Sequence, residues 1–293
     1  MTHVRALIRL MRPHQWIKNG FVFIGLVFAR EWSHPPLVRL AVLAFVAMCL
    51  VSSSLYIFND YVDLSMDQKH HTKKNRPLAA GQIPARAALI FSFILLTSGI
   101  LISLLGSLSI VAFLLLYVLI SAGYTLYLKH IVILDIFVIS AGFMVRILMG
   151  TVGIGIPPSQ WLLFCGFMLT IFIGFAKRRS ELNALALAKG DHRPVLEHYA
   201  AVFLDKMIGI SAACAIMSYS LYTISPETIQ KHATKNLIYT VPFVIYGIFR
   251  YIYLLHNGGG TDTASDLLED RHLLISCLCW ILVVCLILIY HGV

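Results

Sequence analysis

The sequence predicts an all-α, polytopic membrane protein, and three observations predict it. Hydrophobic residues occupy 59% of the 293 positions and charged residues only 13%, against about 25% charged in an ordinary soluble domain. Mean hydropathy is +0.81. The apolar residues also gather into about nine runs separated by short polar breaks, and roughly 20 apolar residues suffice to cross a hydrocarbon core.

In chain order, residues 1–16 form an amphipathic N-terminal arm, in which Arg5, Arg9 and Arg12 sit among apolar residues without the small-residue cleavage site of a removed signal. The spans then fall near 17–30, 38–59, 86–105, 108–128, 131–150, 161–177, 202–224, 237–255 and 273–290. The first has the shortest apolar core, because Lys18 and Asn19 stand at its start. Residues 106–107 make a tight turn and 151–160 a Gly/Pro-rich connection, both too plain to hold chemistry. The inner loops 60–85, 178–201 and 256–272 are expected to cap an active site within a single domain, 1–293. Six cysteines fall inside spans without metal-ligand spacing, which suggests small core residues rather than disulfides or zinc.

With the N-terminus inside, the outer cations are Arg30, Arg39, Lys231 and Lys235, and Arg146 lies within a span. The remaining Lys and Arg fall on the inner side, in keeping with the positive-inside rule. The expected location is the inner (plasma) membrane, multi-pass, with chemistry on the cytoplasmic face. A net charge of +9 suits contact with the anionic lipid of a bilayer; no nucleic-acid partner is expected, and a homo-oligomer is compatible with the sequence.

The run Asn59-Asp60-Tyr61-Val62-Asp63-Leu64-Ser65-Met66-Asp67 closes the second span. Continued as a helix, it projects Asp60, Asp63 and Asp67 from one face, where three carboxylates repel each other unless a divalent cation sits among them. Mg²⁺ takes a few carboxylates together with substrate phosphate oxygens. Asn59, Asp60, Asp63 and Asp67 are therefore candidate metal ligands, and the three aspartates candidate catalytic residues. A solvated helix end is the plainer alternative, and the cations that follow argue against it. Lys73 and Arg76 come next in the chain and would clamp a diphosphate, whereas His70-His71 suit hydrogen bonding better than metal binding.

NDxxDxxxD at the end of a second span, followed by a basic loop and Arg76-Pro77-Leu78-Ala79-Ala80-Gly81-Gln82-Ile83, closely resembles the first aspartate-rich motif of the UbiA superfamily of intramembrane prenyltransferases. The resemblance runs along the whole chain and implies a UbiA-type helical bundle. Ordinary prenyltransferases of that superfamily carry a second aspartate-rich motif in the loop after the sixth helix. This chain departs from the pattern there, reading Lys177-Arg178-Arg179-Ser180-Glu181. A cationic segment binds phosphate directly rather than through metal.

Three further runs resemble the decaprenyl-phosphate phosphoribosyltransferase branch: Arg12-Pro13-His14-Gln15-Trp16-Ile17-Lys18-Asn19, Tyr124-Thr125-Leu126-Tyr127-Leu128-Lys129-His130, and Gly258-Gly259-Gly260-Thr261-Asp262 with Glu269-Asp270-Arg271. The resemblance implies a Mg²⁺-dependent pentosyltransferase that moves 5-phosphoribose from phosphoribosyl pyrophosphate to a polyprenyl phosphate. Diphosphate is released, and the product feeds synthesis of an arabinose donor for the cell envelope.

Under this reading Lys18, Lys73, Arg76, Lys129, Lys177, Arg178 and Arg179 bind phosphate or diphosphate. Tyr124, Glu181, Arg146 and Asp270 orient ribose or meet the lipid head group. Arg146 and Asp135 lie eleven residues apart on the fifth span and share a face; Arg146 pairs either with an anion or with backbone carbonyls. The alternatives are a prenyltransferase that moves a prenyl group from prenyl diphosphate to an aromatic acceptor, which needs an acidic second motif, and a transporter, which needs polar residues at the bilayer midplane.

Overall fold

The computed structural model describes residues 3–69, 73–187, 199–257 and 269–290. Among these residues there is no strand, and eight helices are long and apolar enough to cross a membrane. Lipid tails offer no hydrogen bonds, so a spanning backbone must satisfy itself, and the helix does so within one segment.

The chain forms two compact units, the first running to Pro157 and the second starting at Pro158. In the first lie α1 (His3–Met11), a 3-10 helix (Pro13–Phe23), α2 (Ile24–Ala29), α3 (Pro35–Val62), α4 (Leu64–Lys69), α5 (Ala85–Leu104), α6 (Leu108–Leu126) and α7 (Leu134–Met149). The second holds α8 (Gln160–Leu187), α9 (Ala201–Ile224), α10 (Pro226–His232), α11 (Val241–His256) and α12 (Arg271–Tyr290).

Local chemistry sets the helix ends of the first unit. Pro35 and Pro36 open α3, where missing N–H groups cost nothing. Ser107 opens α6: its Oγ accepts from the Ile110 N–H at 3.1 Å and donates to the Gly153 carbonyl at 2.7 Å. Because lipid is as apolar as leucine, close packing holds the helices together, and small residues allow it. Ala41, Ala44 and Ala47 of α3 are fully buried. Opposite them on α5, a Cβ on Gly99 would lie 2.7 Å from Val51 Cγ2 and 3.0 Å from the Ala47 carbonyl oxygen. Any larger residue would force the two helices apart.

The first predicted span is not a regular helix, so the count of long helices is one below the expected nine. Pro13 and the polar Lys18-Asn19 pair disfavour a continuous α-helix; an 11-residue 3-10 helix forms instead, continued by the six residues of α2. At about 2.0 and 1.5 Å rise per residue, the two together reach about 31 Å, close to the thickness of a hydrocarbon core.

This irregular segment is wedged between two neighbours. Asn19 Nδ2 donates to Cys49 Sγ and Ser52 Oγ of α3, each at 3.2 Å. On the other side its backbone touches the end of α7 so closely that a Cβ on Gly150 would lie 1.8 Å from the Val22 carbonyl oxygen.

In the second unit, Trp280 Nε1 of α12 donates to Tyr219 Oη of α9 at 2.8 Å, and Tyr219 Oη meets Thr240 Oγ1 at 2.6 Å. A buried phenol thereby ties two spans to the start of a third. All six cysteines are free.

Candidate active site at the end of the third helix

The acid run does not continue as one helix. Asp63 caps α3, its N–H bonded to the Asn59 carbonyl at 2.9 Å, and α4 restarts at Leu64. The break splits the three carboxylates into two groups. Asp60 and Asp67 turn towards a single guanidinium: Arg76 Nη1 lies 2.9 Å from Asp60 Oδ1 and 2.5 Å from Asp67 Oδ2. Arg12 Nη2 also donates to Asp60 Oδ1, at 2.5 Å. Asp63 turns elsewhere and accepts from Lys129 Nζ at 2.6 Å and from Asn59 Nδ2 at 3.1 Å. Thr125 Oγ1 donates to Asn59 Oδ1 at 3.3 Å and so anchors the group to α6.

Burial makes these contacts matter. Asp60 is 2% exposed and Asp67 3%, and a carboxylate so enclosed costs several kcal/mol unless cations and donors compensate it. Compensation at Asp67 is incomplete. Burial pushes its carboxyl above the usual carboxylate range, against the opposing pull of Arg76 and Lys73, while the nearby Asp60 charge adds to the rise.

Two backbone outliers flank the cluster. Arg12 adopts φ 54°, and Ile133, following the turn that carries Lys129, adopts φ 69°. A β-branched residue at positive φ costs roughly 1–3 kcal/mol and persists only where its surroundings impose it.

Among the described residues no three His, Cys, Asp or Glu side chains come close enough to hold a metal by themselves. Mg²⁺ does not require that, because it keeps waters or phosphate oxygens for most of its coordination sphere. The arrangement fits such an ion. The shared Arg76 nitrogen places Asp60 Oδ1 and Asp67 Oδ2 less than about 5.5 Å apart, two hard oxygen donors already converging on one positive centre.

The other sequence-predicted residues divide by unit. Lys18, Lys73 and Tyr124, all in the first unit, are half-buried. Arg146 is 5% exposed and lies deep in the same unit. It donates to Asn19 Oδ1, Tyr117 Oη and the Gly142 carbonyl, each at 2.8 Å. Its guanidinium also stacks over the Tyr117 ring at 4.5 Å. These hydrogen-bond partners of Arg146 are all neutral: an amide oxygen, a phenol and a backbone carbonyl.

In the second unit, Lys177, Arg178 and Arg179 follow one another on α8 and so point about 100° apart rather than forming one wall. Arg178 is fully buried and paired with Glu181. Arg179 Nε donates to Asp205 Oδ1 at 2.7 Å and Nη2 to Asp205 Oδ2 at 3.4 Å, while Nη1 donates to Asn183 Oδ1. Lys177 is half-buried. Asp270 binds Arg250 at 2.7 Å and accepts from the Leu273 N–H at 2.7 Å, capping α12. Its carboxyl is accordingly held down at about 2, chiefly by the Arg250 hydrogen bond. His70, His71, Thr72 and the run 258–262 lie outside the described residues.

Arg12 and Asp205 belong to these constellations although neither was singled out as a site residue. Their signal was available in the sequence: each is a charged residue at a membrane edge, where charge is costly unless it has a partner.

A sequence model of the UbiA prenyltransferase family matches residues 20–268. The decaprenyl-phosphate phosphoribosyltransferase of Mycolicibacterium smegmatis is 31% identical over 289 residues, covering 95% of this chain and 91% of that protein. The protein of the same name from Corynebacterium glutamicum is 30% identical over 285 residues, covering 94% and 84%. Among solved structures, a UbiA homologue from Archaeoglobus fulgidus bound to GPP and Mg²⁺ superposes with a TM-score of 0.71 at 16% identity, covering 96% of this chain and 99% of its own. The motif, the helical architecture and these similarities agree: this chain belongs to the UbiA prenyltransferase family.

Proposed function

We propose that the chain transfers 5-phosphoribose from phosphoribosyl pyrophosphate to a polyprenyl phosphate at the inner membrane surface and releases diphosphate. The reading is carried by the near full-length similarity to two enzymes named decaprenyl-phosphate phosphoribosyltransferase. It is supported by α8, where the place of a second acid motif is taken by Lys177, Arg178 and Arg179. In the reaction the anomeric C1–O bond to diphosphate breaks and a bond from C1 to a phosphate oxygen of the lipid forms. The bonding pair departs with the diphosphate. The lipid phosphate is already anionic and needs no general base; the barrier lies in leaving-group charge and in bringing two anions together.

Mg²⁺, when bound, would neutralise developing charge on the leaving diphosphate. Asp60 and Asp67 are the residues that would hold it, with Asp63 and Asn59 beside them. Arg76, which bridges Asp60 and Asp67, and Arg12, which holds Asp60 alone, would turn their guanidinium groups to diphosphate oxygens, while Lys73 and the buried Lys129 would add positive charge. Lys177 and Arg179 would read the 5-phosphate, the latter by exchanging its hold on Asp205. Arg178, enclosed with Glu181, would fix the shape of that helix. Asp270 serves as a cap and Arg146 as a brace, and neither is assigned a substrate contact. The domain is one catalytic domain over 1–293, whose product suits a precursor of an arabinose donor for the cell envelope.

The test is incubation of purified protein with labelled phosphoribosyl pyrophosphate and a polyprenyl phosphate, in parallel with a labelled prenyl diphosphate and 4-hydroxybenzoate. Label entering the lipid phase from the sugar donor is expected. Product formed only in the second mixture would replace this reading with prenyl transfer.

A further inference from the structure

We infer that α1 is a docking surface for anionic phospholipid, and that its seating on that surface holds Arg12 against the carboxylate cluster; the second part rests on the cluster being the active site.

At 100° per residue, α1 presents three different stripes. Ala6 and Leu10 are buried and pack with Ile57, Leu78, Ile83 and Ala88. Val4 and Ile8, one turn apart, are 64% and 51% exposed. Arg5 and Arg9, also one turn apart and both exposed, lie between those two stripes. A nine-residue helix is not stable in isolation, and one that exposes two β-branched residues beside two arginines has the pattern of a helix lying in a membrane interface. The apolar stripe alone would suit any bilayer. The arginine pair supplies charge complementarity, which selects lipids with a net negative head group.

Hydrogen bonds carry the seating of α1 to the cluster. Ser53 Oγ of α3 donates to the Met11 carbonyl, the last of α1, at 2.8 Å. Trp16 Nε1 donates to the same Ser53 Oγ at 3.0 Å. Between these two anchors the chain reverses at Arg12, in the left-handed region with φ 54°, and Arg12 grips Asp60 at 2.5 Å. Lifting α1 from its surface therefore pulls on one of the two arginines that compensate Asp60.

Amide hydrogen exchange tests this without relying on turnover, so its outcome is independent of the phosphoribosyl transfer assay. The full chain would be placed in nanodiscs of phosphatidylcholine alone or of phosphatidylcholine with phosphatidylglycerol. Phosphatidylglycerol is expected to slow exchange across 4–19 on the order of tenfold. The Arg5→Gln/Arg9→Gln variant should lose that slowing, with exchange in α8 to α12 unchanged as the check on folding, and Arg5→Lys/Arg9→Lys should retain it. Equal exchange in both lipids, or a phosphatidylglycerol effect that survives in the glutamine variant, would overturn the proposal. Slowing confined to 4–11 would overturn the link to Arg12.

Discussion

The charged groups of the first unit and those of the second are built in different ways. In the first, Asp60 and Asp63 draw their cations from far along the chain, Arg12 and Lys129 standing 48 and 66 positions away. The carboxylates are enclosed, and the backbone is strained at Arg12 and Ile133. In the second, Arg178 finds Glu181 one turn away on its own helix, and Arg179 binds Asn183 one turn on together with Asp205. Pairs one turn apart are brought together by the helix itself, even where, as at Arg178, the cation is fully buried. Long-range pairing of buried charge is expensive, and a fold retains it where it serves a site. The difference teaches that the charges of the acid motif are held by distant parts of the chain, whereas those of the basic segment are held partly by their own helix.

The comparison breaks most visibly at the carboxylates. Asp60→Asn and Asp67→Asn keep the shape of the side chain while removing charge, and each should lower Mg²⁺-dependent turnover by about 10²-fold or more. Size-exclusion profiles should remain unchanged; turnover near the wild-type rate would remove the site assignment.

A smaller effect isolates the shared guanidinium. Arg76→Gln leaves two enclosed carboxylates poorly compensated and should destabilise the metal-free protein by about 3 kcal/mol. Added Mg²⁺ should then raise its melting temperature more than it raises that of the unaltered chain. Equal Mg²⁺ responses in the two proteins would mean that Arg76 and the metal do not share a place.

The second unit is sharpened by separating its cations. Lys177→Gln should raise KM for phosphoribosyl pyrophosphate several-fold, about 1 kcal/mol, with little change for the lipid. Arg178→Met should lower thermal stability instead, because it removes the buried guanidinium that pairs with Glu181. If Lys177→Gln moved only the lipid KM, that end of α8 would serve the acceptor.

The smallest effect concerns Asp270. Its folded-state carboxyl sits at about 2, below the ordinary carboxylate value. The depressed pKa means that its stabilisation is fully present above about pH 4 and is lost as pH falls towards 2. Thermal melts of Asp270→Asn and the parent protein should differ at neutral pH and converge in acid. A difference that stayed constant with pH would show that the cap acts through shape rather than charge.

The fold class was legible because the bilayer demands long apolar runs, and among the described residues eight of the nine expected spans are helices long and apolar enough to cross it. The exception, 17–30, misled because a 3-10 helix covers the same distance with fewer residues and accepts Lys18 and Asn19. Its close approach to Gly150 is tertiary and leaves only a pair of glycines in the sequence, Gly25 and Gly150. In the candidate site, the spacing of the aspartates pointed to the family that the comparisons show but implied a single stack. After the helix break Asp63 meets Lys129, 66 positions on, a contact that a linear pattern does not encode. The run Lys177-Arg178-Arg179 looked like a wall because its sign was visible and its partner Asp205, 26 positions beyond Arg179, was not.

Calorimetric titration with inorganic diphosphate, with and without Mg²⁺, addresses the central claim most directly. If the cluster at the end of α3 is the metal-diphosphate centre, heat of binding requires Mg²⁺, disappears in Asp60→Asn and persists in Lys177→Gln. Binding that needs no Mg²⁺, or that survives Asp60→Asn unchanged, would contradict the account.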